Sequence, residues 1–101
     1  MKFRITNIVM TGKSKHKFSM EDFAKIVKKG KIWWDVLNED CSPLLQARIP
    51  AKGTNIYGKQ KTTCVSFWQG GSVNIVGCKS RKEGIEAYKK AVKDIREALR
   101  T

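Results

Sequence analysis

The chain has 101 residues, 41% of them apolar, enough for one domain over residues 1–101 whose two-layer core needs neither metal nor disulfide. Twenty-one Lys and Arg against nine Asp and Glu give a net charge of +12, an excess that draws polyanions from beyond contact distance. This composition excludes a disordered chain, and the longest apolar runs are too short to cross a bilayer.

Met1–Arg4 runs into polar residues within a few positions, so no secretory signal and an intracellular protein are expected. Residues Phe3–Thr11 read as a strand, with Ile5, Asn7 and Val9 on one face and Ile8 and Met10 on the other. Gly12–Lys17 is a basic loop that carries the lone histidine, His16. Ser19 then caps a helix whose first turn holds Glu21 and Asp22, which complement the helix dipole. That helix runs to about Lys29, buries Phe23, Ile26 and Val27, and ends on Gly30 as its C-cap.

Residues 31–42 read equally as an extension of the helical layer or as a short strand. Trp33 and Trp34 within them are read as core or ledge residues, because Trp is highly buried on average. Neither is assigned to a ligand. Leu44–Ile49 is a strand with Leu45, Ala47 and Ile49 inward and Leu44, Gln46 and Arg48 on the other face. Pro43 and Pro50 bound it, where proline breaks no central ladder bond. Ala51–Lys61 links this strand to the next and carries Lys52, Lys59 and Lys61.

Cys64–Trp68 and Ser72–Val76 are two strands joined by Gln69-Gly70-Gly71, a hairpin signal because glycine reaches positive φ at little cost. Val65, Phe67, Val73 and Ile75 form its apolar face, and Cys64, Ser66, Trp68, Asn74 and Val76 a mixed face suited to contact. Ser80 and Glu83 then form a capping box for a helix from Arg81 to about Arg100. Ile85, Tyr88, Ala91, Val92, Ile95 and Leu99 make its core stripe. The fold expected is α+β: a curved antiparallel sheet covered on one face by two helices, with the opposite face uncovered.

Nothing in the sequence assembles an enzyme. It has one histidine, no phosphate-binding glycine loop, no nucleophile with an evident base and no clustered carboxylates. Cys41, Cys64 and Cys78 are an odd number without a Cys-x-x-Cys pair, so neither a metal site nor a cofactor is expected. An uncovered sheet face on so basic a chain points to nucleic acid.

Three segments in order carry a family resemblance. Thr6-Asn7-Ile8-Val9-Met10-Thr11 is similar to a first strand Gln-Asn-Ile-Val-Ser-Thr, and Pro43–Ile49 to the second strand of the same family. Gly77-Cys78-Lys79-Ser80 is similar to the Gly-Ala-Lys-Ser that closes its last strand before a long helix. The chain thus resembles one repeat of the TATA-box-binding protein. The resemblance implies a transcription-initiation factor that contacts the minor groove of double-stranded DNA through the open face and bends it with apolar wedges.

Residue by residue, Asn7 matches the asparagine whose amide donates to adenine and thymine edges, and Val9 the apolar contact beside it. Trp68 stands where the family has a wedging Phe, and Arg48 where a strand arginine meets phosphate. Val76 replaces a threonine, Asn74 a valine and Ser66 a leucine, all facing the groove. Lys52, Lys59 and Lys61 are further expected phosphate contacts. Ser42 stands where the family has its second wedge Phe, so a weaker bend is expected. The carbonyl of Asn74 can accept from the guanine amino group, so no strict preference for TATA-like sequence is expected.

The family joins two such repeats in a saddle, whereas this sequence shows one. A two-fold homodimer paired along the Phe3–Thr11 edge is expected, with a second chain of the same type as the next option. Other transcription factors are expected partners, membranes are not, and a single repeat fits a virus or another compact genome. The competing class is a protein-interaction or RNA-binding module that kept the fold and lost TATA recognition.

Overall fold

The computed structural model describes residues 4–6, 9–14, 17–54, 60–78 and 80–100, with side chains for 9–14, 17–50, 62–78 and 80–100. In chain order the elements are β1 (Arg4–Thr6), β2 (Val9–Lys13), α1 (Met20–Lys29), β3 (Trp33–Leu37), β4 (Leu44–Thr54), β5 (Gln60–Trp68), β6 (Ser72–Val76) and α2 (Arg81–Arg100). The strands form one antiparallel sheet in the order β1-β2-β6-β5-β4-β3.

The β5–β6 hairpin sits at the centre of this sheet. Its three-residue turn closes with the Gly71 amide donating to the Trp68 carbonyl at 3.0 Å. Gly71 has φ 102°, the left-handed residue that follows such a turn and that glycine adopts without steric cost. The resulting register sets Phe67 against Val73 and Val65 against Ile75. The period of two then carries one apolar face across the sheet: Met10, Ile75, Val65, Ala47 and Trp34 in one row, Val73, Phe67, Leu45 and Val36 in the next. These side chains are buried or nearly so, and both helices pack over them. The α+β class, with helices on one face of an antiparallel sheet, is therefore the observed one.

Several local expectations need correction. The Phe3–Thr11 strand is divided: β1 folds back on β2, with Arg4 opposite Thr11 and Thr6 opposite Val9, and β2 itself extends to Lys13. The short β1 pairs the outer backbone groups that β2 would otherwise leave open. Residues 31–42 resolve as a strand, β3, whose alternation buries Trp34 and exposes Trp33. Of Ala51–Lys61, residues 51–54 continue β4 and residues 60–61 open β5, with a register shift between Pro50 and Thr54 that accommodates the residue without an N–H. His16 lies outside the described residues.

The helices also differ in detail. α1 has the full capping box, Ser19 Oγ accepting from the Asp22 amide at 3.1 Å and Asp22 Oδ2 from the Ser19 amide at 3.0 Å. Val27, expected to be buried, is exposed, and Phe23 and Ile26 alone anchor the helix. Gly30 does end α1, but with φ −63°, so conformational freedom is not what it supplies. A Cβ there would lie 2.6 Å from Trp34 Nε1, and glycine leaves room for the indole.

On α2 the line nearest the sheet is Gly84, Ala87, Ala91, Asp94, Ile95 and Ala98, with Ile85, Tyr88, Val92 and Leu99 flanking it, half-buried. Small residues let the helix lie close to the strands; a Cβ on Gly84 would collide with Met10 Sδ. Ser80 Oγ accepts from the Glu83 amide at 3.2 Å, as a capping serine should. The return half of that box is missing: Glu83 Oε1 is buried without a hydrogen-bond partner.

Asp94 joins the layers. This carboxylate is only 6% exposed, yet it accepts from the Lys31 amide at 2.9 Å, the Ile32 amide at 3.1 Å and the Trp34 indole at 2.7 Å. Burial pushes its carboxyl upward, but the Trp34 indole, the two amides and the nearby Lys31 charge outweigh that and hold it below its ordinary range.

Candidate nucleic-acid interface

The same alternation that builds the core lays out the opposite face in rows. One row runs Val9, Val76, Cys64, Arg48, Trp33 across five strands. The next runs Thr11, Asn74, Ser66, Gln46, Asp35. At the turn end, Trp68, Leu44 and Leu37 form a third. Both helices cover the other side, so these side chains are presented together on a surface that no described element covers.

The first row is apolar at one end and cationic at the other. Val76 is 40% exposed beside the half-buried Val9 and Cys64. The Arg48 guanidinium lies 4.6 Å from the centroid of the Trp33 ring, and Trp33 is 46% exposed. A cation held over an indole face is kept in place without being neutralised, so Arg48 remains available to an anion. In the second row Gln46 Nε2 donates to Ser66 Oγ at 3.3 Å, and Ser66 is only 7% exposed between its larger neighbours. In the third, Trp68 is half-buried and leans against a buried Leu44, while Leu37 beyond it is exposed.

Of the expected site residues, Val9, Arg48, Ser66, Trp68, Asn74 and Val76 all fall on this face and in adjacent rows. Asn7 and Lys59 lie outside the described residues. Lys52 and Lys61 fall on β4 and β5, with side chains outside the description. Sequence reasoning passed over Trp33, Gln46, Thr11 and Leu37 as contact residues. The missing signal for Trp33 was strand alternation in residues 33–37, which sends one Trp to each face.

Most of the described cations lie elsewhere. Among the described side chains this face carries the cations Lys13 and Arg48 and the anion Asp35. α1 instead bears Lys25, Lys28 and Lys29, and α2 bears Lys82, Lys89, Lys93, Arg96 and Arg100 among others. The described positive charge therefore acts as a field around the molecule more than as a lining of the face. Among the described residues no group of three His, Cys, Asp or Glu is placed to hold a metal ion. No described helix is long and apolar enough to cross a membrane.

The comparison with family models decides the kinship: the family described as transcription factor TFIID, or TATA-binding protein, matches residues 2–98. The chain belongs to the TATA-binding protein family. Searches of curated proteins and of solved structures gave no match. The family is one of DNA-binding transcription factors, not of enzymes. The antiparallel sheet with α1 and α2 on one face is an α+β fold matching one repeat of that family, with β1 at the edge of the sheet.

Proposed function

We propose that the protein is a transcription-initiation factor of the TATA-binding type that lays its open sheet face along the minor groove of double-stranded DNA. The observation that carries this reading is the face itself: Val9, Val76, Trp68 and Arg48, at the family's contact positions, share one uncovered surface. Val9 and Val76 supply apolar contact to the sugar–base walls, Trp68 is the wedge that opens a base step, and Arg48 meets phosphate with its guanidinium held over Trp33. Asn7 donates to the acceptors of the groove, and Lys52, Lys59 and Lys61 add phosphate contacts. The protein acts where transcription begins, with other initiation factors.

Two copies form the saddle in this reading. The edge that would join them is the one β1 now covers, and a three-residue strand is too short to hold a dimer through its own outer side. In the dimer β1 leaves β2, and the segment from Arg4 to Lys13 pairs as one strand with its copy. Sedimentation equilibrium at micromolar protein is expected to give a dimer, at least with a duplex present. A monomer with and without DNA would remove the saddle.

Electrostatics supply the direct test of DNA contact. Affinity for short duplexes is expected to fall with salt by about 0.9 log units per log unit for each phosphate neutralised. Arg48→Ala should weaken binding to all duplexes alike and flatten that slope by about one contact. A slope near zero, or single-stranded or double-stranded RNA that outcompetes duplex DNA, would overturn the reading.

A further inference from the structure

The second row of the open face is polar, and its amides and hydroxyls can accept hydrogen bonds as well as donate them. A·T and T·A pairs show acceptors alone in the minor groove, so a groove-facing surface needs donors or apolar atoms there; only guanine adds a donor, its 2-amino group. Thr11, Asn74, Ser66 and Gln46 stand in direct cross-strand register, four adjacent strands contributing one polar side chain each. The Gln46 amide already directs an N–H to Ser66 Oγ at 3.3 Å, which fixes its orientation and leaves the carbonyl oxygen as an acceptor. Asn74, half-exposed on the other side of Ser66, carries a second amide oxygen. Asp35 ends the row with a carboxylate, one of whose oxygens accepts from the Val36 amide at 2.9 Å. The row thus holds donors that suit A·T acceptors and also amide oxygens whose only donor in the groove is the guanine amino group.

On the minor-groove reading above, we infer that this row is a specificity element for a G·C pair, in which the one free N–H of the guanine 2-amino group donates to the amide oxygen of Asn74 or to that of Gln46, two strands away. The apolar parts of the flanking rows, Val9 and Val76 on one side and Trp68 and Leu44 on the other, confine the effect. Neighbouring rows lie two residues apart along a strand, about 7 Å, or roughly two base-pair steps. The preference therefore belongs to one or two adjacent positions of the bound site, flanked by positions where valine or tryptophan makes the contact and a protruding amino group is excluded. An apolar side chain at position 74 or 46 would strand the amino group unpaired and reverse the preference.

The test isolates one chemical group. A single G·C pair is walked through an otherwise A·T duplex, and at each position its affinity is compared with that of inosine·C, which lacks only the 2-amino group. At one or two adjacent positions G·C is expected to bind about fivefold more tightly than inosine·C, the size of one added hydrogen bond. In Asn74→Val combined with Gln46→Leu, inosine·C should bind as well or better there. Parity at every position, or tighter inosine·C throughout, overturns the inference on the parent protein alone, whether or not the double variant folds. A polyamide ligand that fills the minor groove serves as competitor in the same assay. If it fails to displace the protein, the minor-groove reading itself falls; displacement with indifference to the amino group removes only the specificity element.

Discussion

Asp94→Ala is expected to destabilise the protein by about 3 kcal/mol or more, because it strands buried donors and does not merely delete a contact. The carboxylate serves the Lys31 and Ile32 amides and the Trp34 indole together. Each buried donor left unpaired costs about 1–3 kcal/mol, and alanine cannot answer any of them. The loss also frees the start of β3 from α2, so Trp34 and the strand that presents Trp33 lose their anchor. Asp94→Asn retains one oxygen but turns an N–H toward donors, and should recover only part of the stability. The pH dependence gives an independent check. The folded carboxyl titrates below its unfolded value, so its contribution is fully present above the ordinary carboxylate range and is lost as pH falls through the folded value. The gap between parent and Asp94→Asn in urea unfolding should therefore be widest near neutrality and narrow in acid. An alanine variant as stable as the parent, with the same acid limb, would show that this carboxylate is not a structural tie.

That tie was not legible in the sequence. Asp94 sits in a helix rich in charge, where one more acid reads as solvent-facing, and its partners are sixty or more residues away along the chain. Gly30 was legible as a helix end, but its reason, the space for the Trp34 indole, depends on a tertiary neighbour. The α2 stripe follows from helical spacing, which finds the buried Ala91 and Ile95 but centres on Ile85, Tyr88 and Val92, which are only half-buried. The helix instead lies so close to the sheet that alanine and glycine take the central line.

What the sequence did show followed from short-range rules. The two-glycine turn set the β5–β6 register, and with it the facing of Val65, Phe67, Ser66, Trp68, Asn74 and Val76. Leu44–Ile49 alternated as a half-buried strand must, which put Arg48 on the open face. Neither rule could foresee the fold-back of β1, because whether an edge stays open is decided by what else is near enough to pair with it.

The widest separation between stability and function is expected at adjacent residues 67 and 68. Phe67 is 2% exposed and its ring lies 6.0–6.2 Å from those of Tyr88, Phe18 and Trp34, so it joins the sheet to α2 and to the segment that leads into α1. Phe67→Ala should leave a cavity that few neighbours can fill, and cost about 3–5 kcal/mol of folding stability. Trp68 is on the opposite face, half-buried against Leu44, and its removal uncovers that leucine without opening the core. Trp68→Ala should therefore cost about 1–2 kcal/mol, in line with partial apolar exposure. Its effect on DNA should be the larger one. In the proposed reading Ser42 takes the place of a second wedge and Trp68 alone unstacks the base step, so without Trp68 the bend should largely vanish. Thermal melting of both variants, beside an energy-transfer assay of duplex end-to-end distance, separates the two roles. If Trp68→Ala unfolds the protein, the residue is core and the wedge assignment fails. It fails equally if the folded variant bends DNA as the parent does, and Leu37, exposed at the end of the same row, is then the residue to replace next.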